Sequence, residues 1–377
     1  MKIATNISLS PIGGITRRVK EMQRKINECD DTHRLVTIEI HPYQRLTVEN
    51  KHSKIYKIPL PDSITLDSIY KGLRSLEGLQ QRFEPTIQEI ERILDSEKVD
   101  VVLSEGTYYA PWCLYQASRR ARTPLVILYA GILKYETRHY PEEIRKILVE
   151  MENNFINPLF MYIFSSNLTR IAVEKEYGQL QRTKVVPNGI SREFFQLEPK
   201  PDFGGIGFVG RATKTKNPEY LIMLREEMRR QKVNMDIYMV SNFSDMNWLK
   251  KKLSRAGIKM LSIMDTPRLR DFYRDRGIII SPSLFETYGN VPIESIATGT
   301  PALINNNMGV AEIFKKHNLD SYIIDFNDVH DVVSAIERYK NHRIDKGTRE
   351  SLRRYAWDTI IEEYYQVCRQ EIQRYQS

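Results

Sequence analysis

The stretch from Gly277 to Ile313 constrains this chain most. Gly277 to Ile280 is short, apolar and rich in β-branched residues, the pattern of a buried strand. Asn290 is placed to cap a helix, and Pro292 falls in its first turn, where a missing N–H costs nothing. Gly299 and Pro301 end that helix. The unit reads strand, polar loop, short helix, strand. In an open parallel sheet such a loop lies at the carboxyl end of its strand, where ligands bind.

Two carboxylates flank the expected helix start: Glu286 in the loop and Glu294 in the helix, eight residues apart. Between them Gly289, Asn290 and Val291 can aim backbone N–H groups outward, and a helix N-terminus favours an anion such as a diphosphate. Two glutamates at this spacing would by themselves be a capped helix with solvated acids. The longer string decides the matter. Glu286-Thr-Tyr-Gly-Asn-Val-Pro-Ile-Glu294, followed by Ala297-Thr-Gly-Thr-Pro301 and Gly309-Val-Ala-Glu312, resembles the Glu-x7-Glu region of retaining GT-B glycosyltransferases. The nearest group is glycosyltransferase family four, the group 1 glycosyl transferases. On that resemblance Glu294 would bind ribose hydroxyls and Glu286 would sit against the transferred sugar.

A length of 377 residues suits two domains, and 41% hydrophobic with 28% charged residues is ordinary for a soluble globular protein. No apolar run approaches the ~20 residues that span a bilayer, and Met1-Lys-Ile-Ala-Thr-Asn-Ile lacks a signal-peptide core. The expected location is cytoplasmic. Cys29, Cys113 and Cys368 are scattered without metal-ligand spacing and fit a reducing compartment. A net charge of +8 implies affinity for anions without naming them.

Taken in order, the chain alternates strand and helix. Lys2 to Leu9 reads as a strand, and Ser10-Pro-Ile-Gly13-Gly14 as a tight loop opening a helix. This loop resembles the family's N-terminal glycine loop, which implies contact of Gly13 and Gly14 with the donor phosphates. The helix that follows carries Arg17, Arg18, Lys20, Arg24 and Lys25, and Arg119, Arg120 and Arg122 add a second basic cluster. Strands are expected at Arg34 to Ile40, Lys54 to Pro59 and Val99 to Ser104, with a polar helix broken or ended near Phe83-Glu-Pro85.

Glu105-Gly-Thr-Tyr108-Tyr109-Ala-Pro-Trp112 then places an acid and aromatic faces at a strand's carboxyl end. That suits a sugar acceptor, and equally a turn with surface aromatics. After the strand Pro124 to Ala130, many family members have a histidine where this chain has Ala130, which leaves that residue's role without a bearer.

Val186-Pro-Asn-Gly-Ile190 matches the family's interdomain turn, and Pro199-Lys-Pro-Asp202 reads as a stiff linker, which puts the boundary near residue 195. After the strand Gly205 to Val209, Arg211 and Lys216 resemble the family's diphosphate-binding pair, a forked donor and a point charge. Asn217 stands where relatives often have glycine. Strands at Met235 to Val240 and Ile258 to Ser262 complete a second sheet, and Arg353 to Trp357 opens a long terminal helix.

The resemblance implies the GT-B fold: two Rossmann-like, doubly wound α/β domains facing a central cleft. Residues 1–195, with about 355–377 returning as a terminal helix, would bind the acceptor, and 196–354 the nucleotide sugar. The implied reaction moves a hexose or N-acetylhexosamine from a nucleotide diphosphate sugar, a UDP-sugar first, to a hydroxyl of a cell-envelope glycan, teichoic-acid-like polymer or lipid-linked acceptor, with retention. Glu286, Arg211 and Lys216 would be catalytic. Gly13, Gly14, Arg211, Lys216, Gly289, Asn290, Val291 and Glu294 would hold the donor, and Glu105, Tyr108, Tyr109 and Trp112 the acceptor. No Asp-x-Asp motif is present, so neither metal nor cofactor is expected. The basic clusters predict salt-sensitive contact with an anionic membrane face, and no motif supports nucleic-acid binding. Two other readings remain: a nucleotide-sugar-binding protein that has lost catalysis, and a sugar-nucleotide epimerase.

Overall fold

The structure is a computed structural model, and it describes residues 1–7, 14–29, 32–61, 64–65, 68–196, 204–242 and 247–377. The chain forms two compact units. One comprises residues 1–165, 169–187 and 358–377, and the other 166–168 and 188–357. The division thus falls just after Pro187, earlier than the proline-rich linker marks it, and the terminal segment from Asp358 belongs to the first unit.

The first unit is built on an eight-stranded sheet: β1 (Lys2–Asn6), β2 (Arg34–His41), β3 (Leu46–Glu49), β4 (Ser53–Pro59), β5 (Val101–Glu105), β6 (Leu125–Tyr129), β7 (Met161–Phe164) and β8 (Thr183–Val185). Their order is β3-β4-β2-β1-β5-β6-β7-β8, parallel throughout except for β3, an antiparallel edge strand absent from the sequence reading. β5 and β6 are buried along their whole length, as the unbroken runs Val101-Val-Leu and Leu125-Val-Ile-Leu-Tyr require of strands covered on both faces.

The helix Leu76–Ser96 runs through Pro85 without ending, contrary to the expected break. Pro85 lies on the helix's exposed face, where water can take the carbonyl that its missing N–H leaves unpaired. Phe83, Ile87 and Ile90 on the opposite face are completely buried, and their burial outweighs the local defect.

The second unit has a five-stranded sheet: β9 (Ile206–Val209), β10 (Ile237–Val240), β11 (Ile258–Leu261), β12 (Ile278–Ser281) and β13 (Ala302–Ile304). It is wholly parallel, in the order β11-β10-β9-β12-β13. Strand order therefore reverses between β9 and β12. At such a point the connections leave to opposite sides and open a crevice at the strands' carboxyl ends. In the first unit the same reversal falls between β1 and β5.

Candidate active site

Both loops singled out in the sequence emerge at the reversal point of the second sheet. β9 leads into Gly210–Asn217 and β12 into Pro282–Gly289. The two are tied together: Leu284 N donates to the Thr215 carbonyl at 2.9 Å, and Asn217 Nδ2 to the Pro282 carbonyl at 3.4 Å. Asn217 sits in the left-handed region, φ 53°, directly after the 3-10 turn Lys214–Lys216. Asparagine tolerates that region, which accounts for its standing where relatives have glycine.

Lys216 Nζ lies 2.5 Å from Glu286 Oε2, and their side chains are 23% and 11% exposed. Ser283 Oγ, itself buried, donates to Glu286 Oε1 at 2.5 Å. The Glu286 carboxylate is thus held at both oxygens, one by a cation and one by a hydroxyl. Arg211 is exposed on the same loop as Lys216.

A second loop clamps the Glu286 backbone. Glu286 N donates to the Asn307 carbonyl at 3.1 Å, Gly309 N to the Glu286 carbonyl at 3.0 Å and Val310 N to the Tyr288 carbonyl at 2.8 Å. A Cβ on Gly309 would collide with the Thr287 carbonyl and the Ser166 side chain, so this approach requires glycine. The Gly309-Val-Ala-Glu312 string is therefore a brace for the loop. Glu312 also accepts hydrogen bonds from the backbone N–H groups of Asn167 at 3.1 Å and Leu168 at 2.7 Å.

The helix Asn290–Ala297 starts one residue earlier than the capping rule predicts. Gly289, at φ 97°, is the N-cap residue and Asn290 the first helical residue. The Asn290 side chain instead accepts from Asn188 Nδ2 at 2.9 Å. With no side-chain cap, the first-turn N–H groups of Asn290 and Val291 lack intrahelical partners, which makes this end suitable for an anion. Glu294 is 1% exposed and accepts from Tyr273 OH at 3.1 Å. Ser283 and Tyr273 escaped the sequence reading, and Asn188 entered it only as part of a turn, because each acts across a loop or from a distant element, at no recognisable spacing.

Residues 190–358 match the family model for glycosyl transferases group 1. That match spans a little less than half of the chain. An uncharacterised glycosyltransferase of Methanocaldococcus jannaschii is 23% identical over 210 residues, covering 49% of this chain and 53% of that protein, so the chain spans about half that relative's length. A D-inositol 3-phosphate glycosyltransferase of Paenarthrobacter aurescens is 22% identical over 312 residues, 74% of each protein. Among solved structures, sucrose-phosphate synthase from Thermosynechococcus elongatus superposes with a TM-score of 0.76 at 13% identity, covering 98% of this chain and 99% of that one. The fold is accordingly GT-B. The matched family and both named sequence relatives are glycosyltransferases.

The first unit departs from the sequence expectations in three places. Gly14 begins the helix Gly14–Cys29, while Gly13 and the rest of its loop lie outside the described residues. Glu105 and Trp112 are completely buried rather than presented to an acceptor. Glu105 Oε2 pairs with Arg18 Nη1 at 2.6 Å, and burial raises the Glu105 carboxyl's pKa while Arg18 works against that rise. Tyr108 and Tyr109 are partly buried.

The third departure concerns the basic face. Arg18 is buried, and Arg24 bonds Glu21, Glu28 and Asp358 at 2.9, 3.2 and 2.9 Å. Lys25 pairs with Glu362 at 2.5 Å, and Arg120 with Glu84 at 2.5 Å. Half of the eight cations expected to face an anionic surface already have acidic partners, because the end of β5 and neighbouring helices supply acids that a one-dimensional charge count cannot place.

Proposed function

We propose that this chain is a retaining glycosyltransferase. It moves a hexose or N-acetylhexosamine from a nucleoside diphosphate sugar, with UDP as the nucleotide, to a hydroxyl of an envelope glycan, polymer or lipid-linked acceptor. The observation that carries the reading is the Lys216–Glu286 pair at the strand-order reversal, beside a helix N-terminus with no side-chain cap.

In this reading Arg211, Lys216 and the first-turn N–H groups of Asn290 and Val291 receive the diphosphate. They stabilise the charge that builds on it as the glycosidic bond to phosphate breaks. Arginine gives a forked contact, and Lys216 has two N–H groups besides the one directed at Glu286. Glu286, oriented by Ser283, stands against the sugar and stabilises positive charge developing at the anomeric carbon. Glu294, fixed by Tyr273, serves the ribose hydroxyls. Cationic side chains thus supply the charge. Any contact with a membrane is peripheral: among the described residues no helix is long and apolar enough to cross one.

The test is a donor panel. Thermal stabilisation by individual nucleotide sugars reports affinity directly. Release of nucleoside diphosphate that depends on added acceptor then separates transfer from binding alone and from epimerisation. Donor stabilisation without acceptor-dependent release from any envelope glycan or lipid acceptor would refute the proposal.

A further inference from the structure

The rule that locates the second unit's site has a counterpart in the first unit, where strand order reverses between β1 and β5. The chain leaves β5 through Gly106, Thr107 and Tyr108, and leaves the neighbouring β6 through Ala130 and Gly131. These exits lie side by side, with Gly106 N donating to the Leu128 carbonyl at 2.9 Å. The acid that the sequence places here, Glu105, is committed to the interior. Another acid takes the position: Tyr108 OH donates to Glu136 Oε2 at 3.1 Å.

The Glu136 carboxylate lies directly over the β6 exit, since a Cβ on Gly131 would collide with it. Its carrier is also fixed. The short helix Leu133–Glu136 is held at its start by the buried Glu152, which accepts from Leu133 N at 2.8 Å and Lys134 N at 3.0 Å. At the other end Thr137 Oγ1 returns a bond to the Leu133 carbonyl at 2.6 Å. Tyr140, near the Tyr108 hydroxyl, is 44% exposed, whereas the Tyr109 ring turns inward onto the buried Phe83.

We infer that Glu136 and Tyr108 form the hydroxyl-binding pair of the acceptor site, an assignment that rests on the glycosyl-transfer reading. A carboxylate has only acceptor oxygens, so it takes hydroxyl protons and repels phosphate. The Tyr108 oxygen, having donated its proton to Glu136, accepts from a second hydroxyl. A carboxylate and a phenol oxygen bonded to one another present two acceptors at the separation of adjacent hydroxyls on a polyol. The part of the acceptor bound here is therefore a neutral polyol ring, and any phosphate or lipid it carries points elsewhere. Ala130 offers no polar side chain at this strand end, so the recognition falls to Glu136.

The test does not need turnover. Myo-inositol and glucose are titrated into the full-length protein with saturating UDP, followed by saturation-transfer NMR. Binding of at least one polyol to the wild type is expected. Glu136→Ala should weaken it about 10-fold or more, the scale for a hydrogen bond to a charged group. Glu136→Gln, which keeps one acceptor oxygen, should fall between the two. Gly131→Ala should match Glu136→Ala, because its methyl displaces the carboxylate without removing it. UDP affinity should stay unchanged in all three variants. Equal polyol binding by Glu136→Ala and wild type, no polyol binding by the wild type, or a parallel loss of UDP affinity would each overturn the assignment. Failure of the transfer reading itself appears separately, as absent release of nucleoside diphosphate.

Discussion

Replacing Glu286 by glutamine keeps the side chain's size and removes its charge, and the geometry assigns the consequences to different assays. Lys216 loses a partner at 2.5 Å in a site where both side chains are less than a quarter exposed. At an effective dielectric near 20, two charges ~4 Å apart attract by ~4 kcal/mol, of which desolvation and side-chain ordering cancel much. The Ser283 bond, also 2.5 Å, drops from a charged to a neutral acceptor, a loss of ~1 kcal/mol. Glu286→Gln should therefore lower stability by about 1–3 kcal/mol in urea denaturation.

Donor binding should move the other way. Lys216 becomes available to the diphosphate and a negative charge leaves its neighbourhood, so affinity for UDP measured by calorimetry should tighten by about 3- to 10-fold, roughly 1 kcal/mol. Turnover at saturating donor should fall about 100-fold or more, the scale for removing one preorganised electrostatic group. Near-normal turnover in the folded variant would refute the role given to Glu286. Donor affinity falling by the same factor as turnover would refute the idea that the acid acts on the sugar while the lysine acts on the diphosphate.

Glu294→Ala should weaken donor binding by roughly 10- to 150-fold with the fold retained, and calorimetric affinity equal to wild type would remove its ribose assignment. In Glu97, burial favours the protonated form, but bonds from Tyr56, Lys2 and Lys54 outweigh it and lower the pKa to about 2 from 4.5. Its contribution is complete above pH ~4.5 and is lost as pH falls toward ~2. Glu97→Gln should accordingly lower stability by about 1–3 kcal/mol at pH 7, with the difference shrinking in denaturant titrations below pH 4. Glu105→Gln leaves the Arg18 charge buried without its ionised partner and should lower stability by about 3–5 kcal/mol, whereas Arg18→Met with Glu105→Leu should recover most of it. A double variant as unstable as the single would show that packing, not charge, sets that site. Co-sedimentation with anionic vesicles should show weak retention that physiological salt abolishes, given how many of the first unit's cations are paired; strong retention at physiological salt would contradict that accounting.

The sequence by itself determined the alternation of strands and helices, the parallel sheets and the loops that carry Lys216 and Glu286. Apolar β-branched runs such as Gly277 to Ile280 and Val101 to Leu103 have one stable use in a chain of this length, as strands covered on both faces. Glu286, Lys216 and Glu294 stood out through the strings around them and not through their spacing, which by itself reads as a capped helix with solvated acids.

Tertiary structure decided what depends on residues far apart in the chain. Ser283 and Glu286 are near in sequence, but Lys216 reaches Glu286 only because β9 and β12 are adjacent, a pairing that no periodicity records. Pairing of Arg18, Arg24 and Lys25 with Glu105, Asp358 and Glu362 spans more than 80 residues in each case, which is why a face that reads as cationic along the sequence is partly neutralised in the fold. The same cause buries Glu105 and leaves Glu136 over the end of β6. A residue inside a parallel strand is buried from both sides, whereas Glu136, seven residues beyond the end of β6, returns over that strand's end. Sequence distinguishes those two acids only once the strand's last residue is known, and the sheet sets that residue.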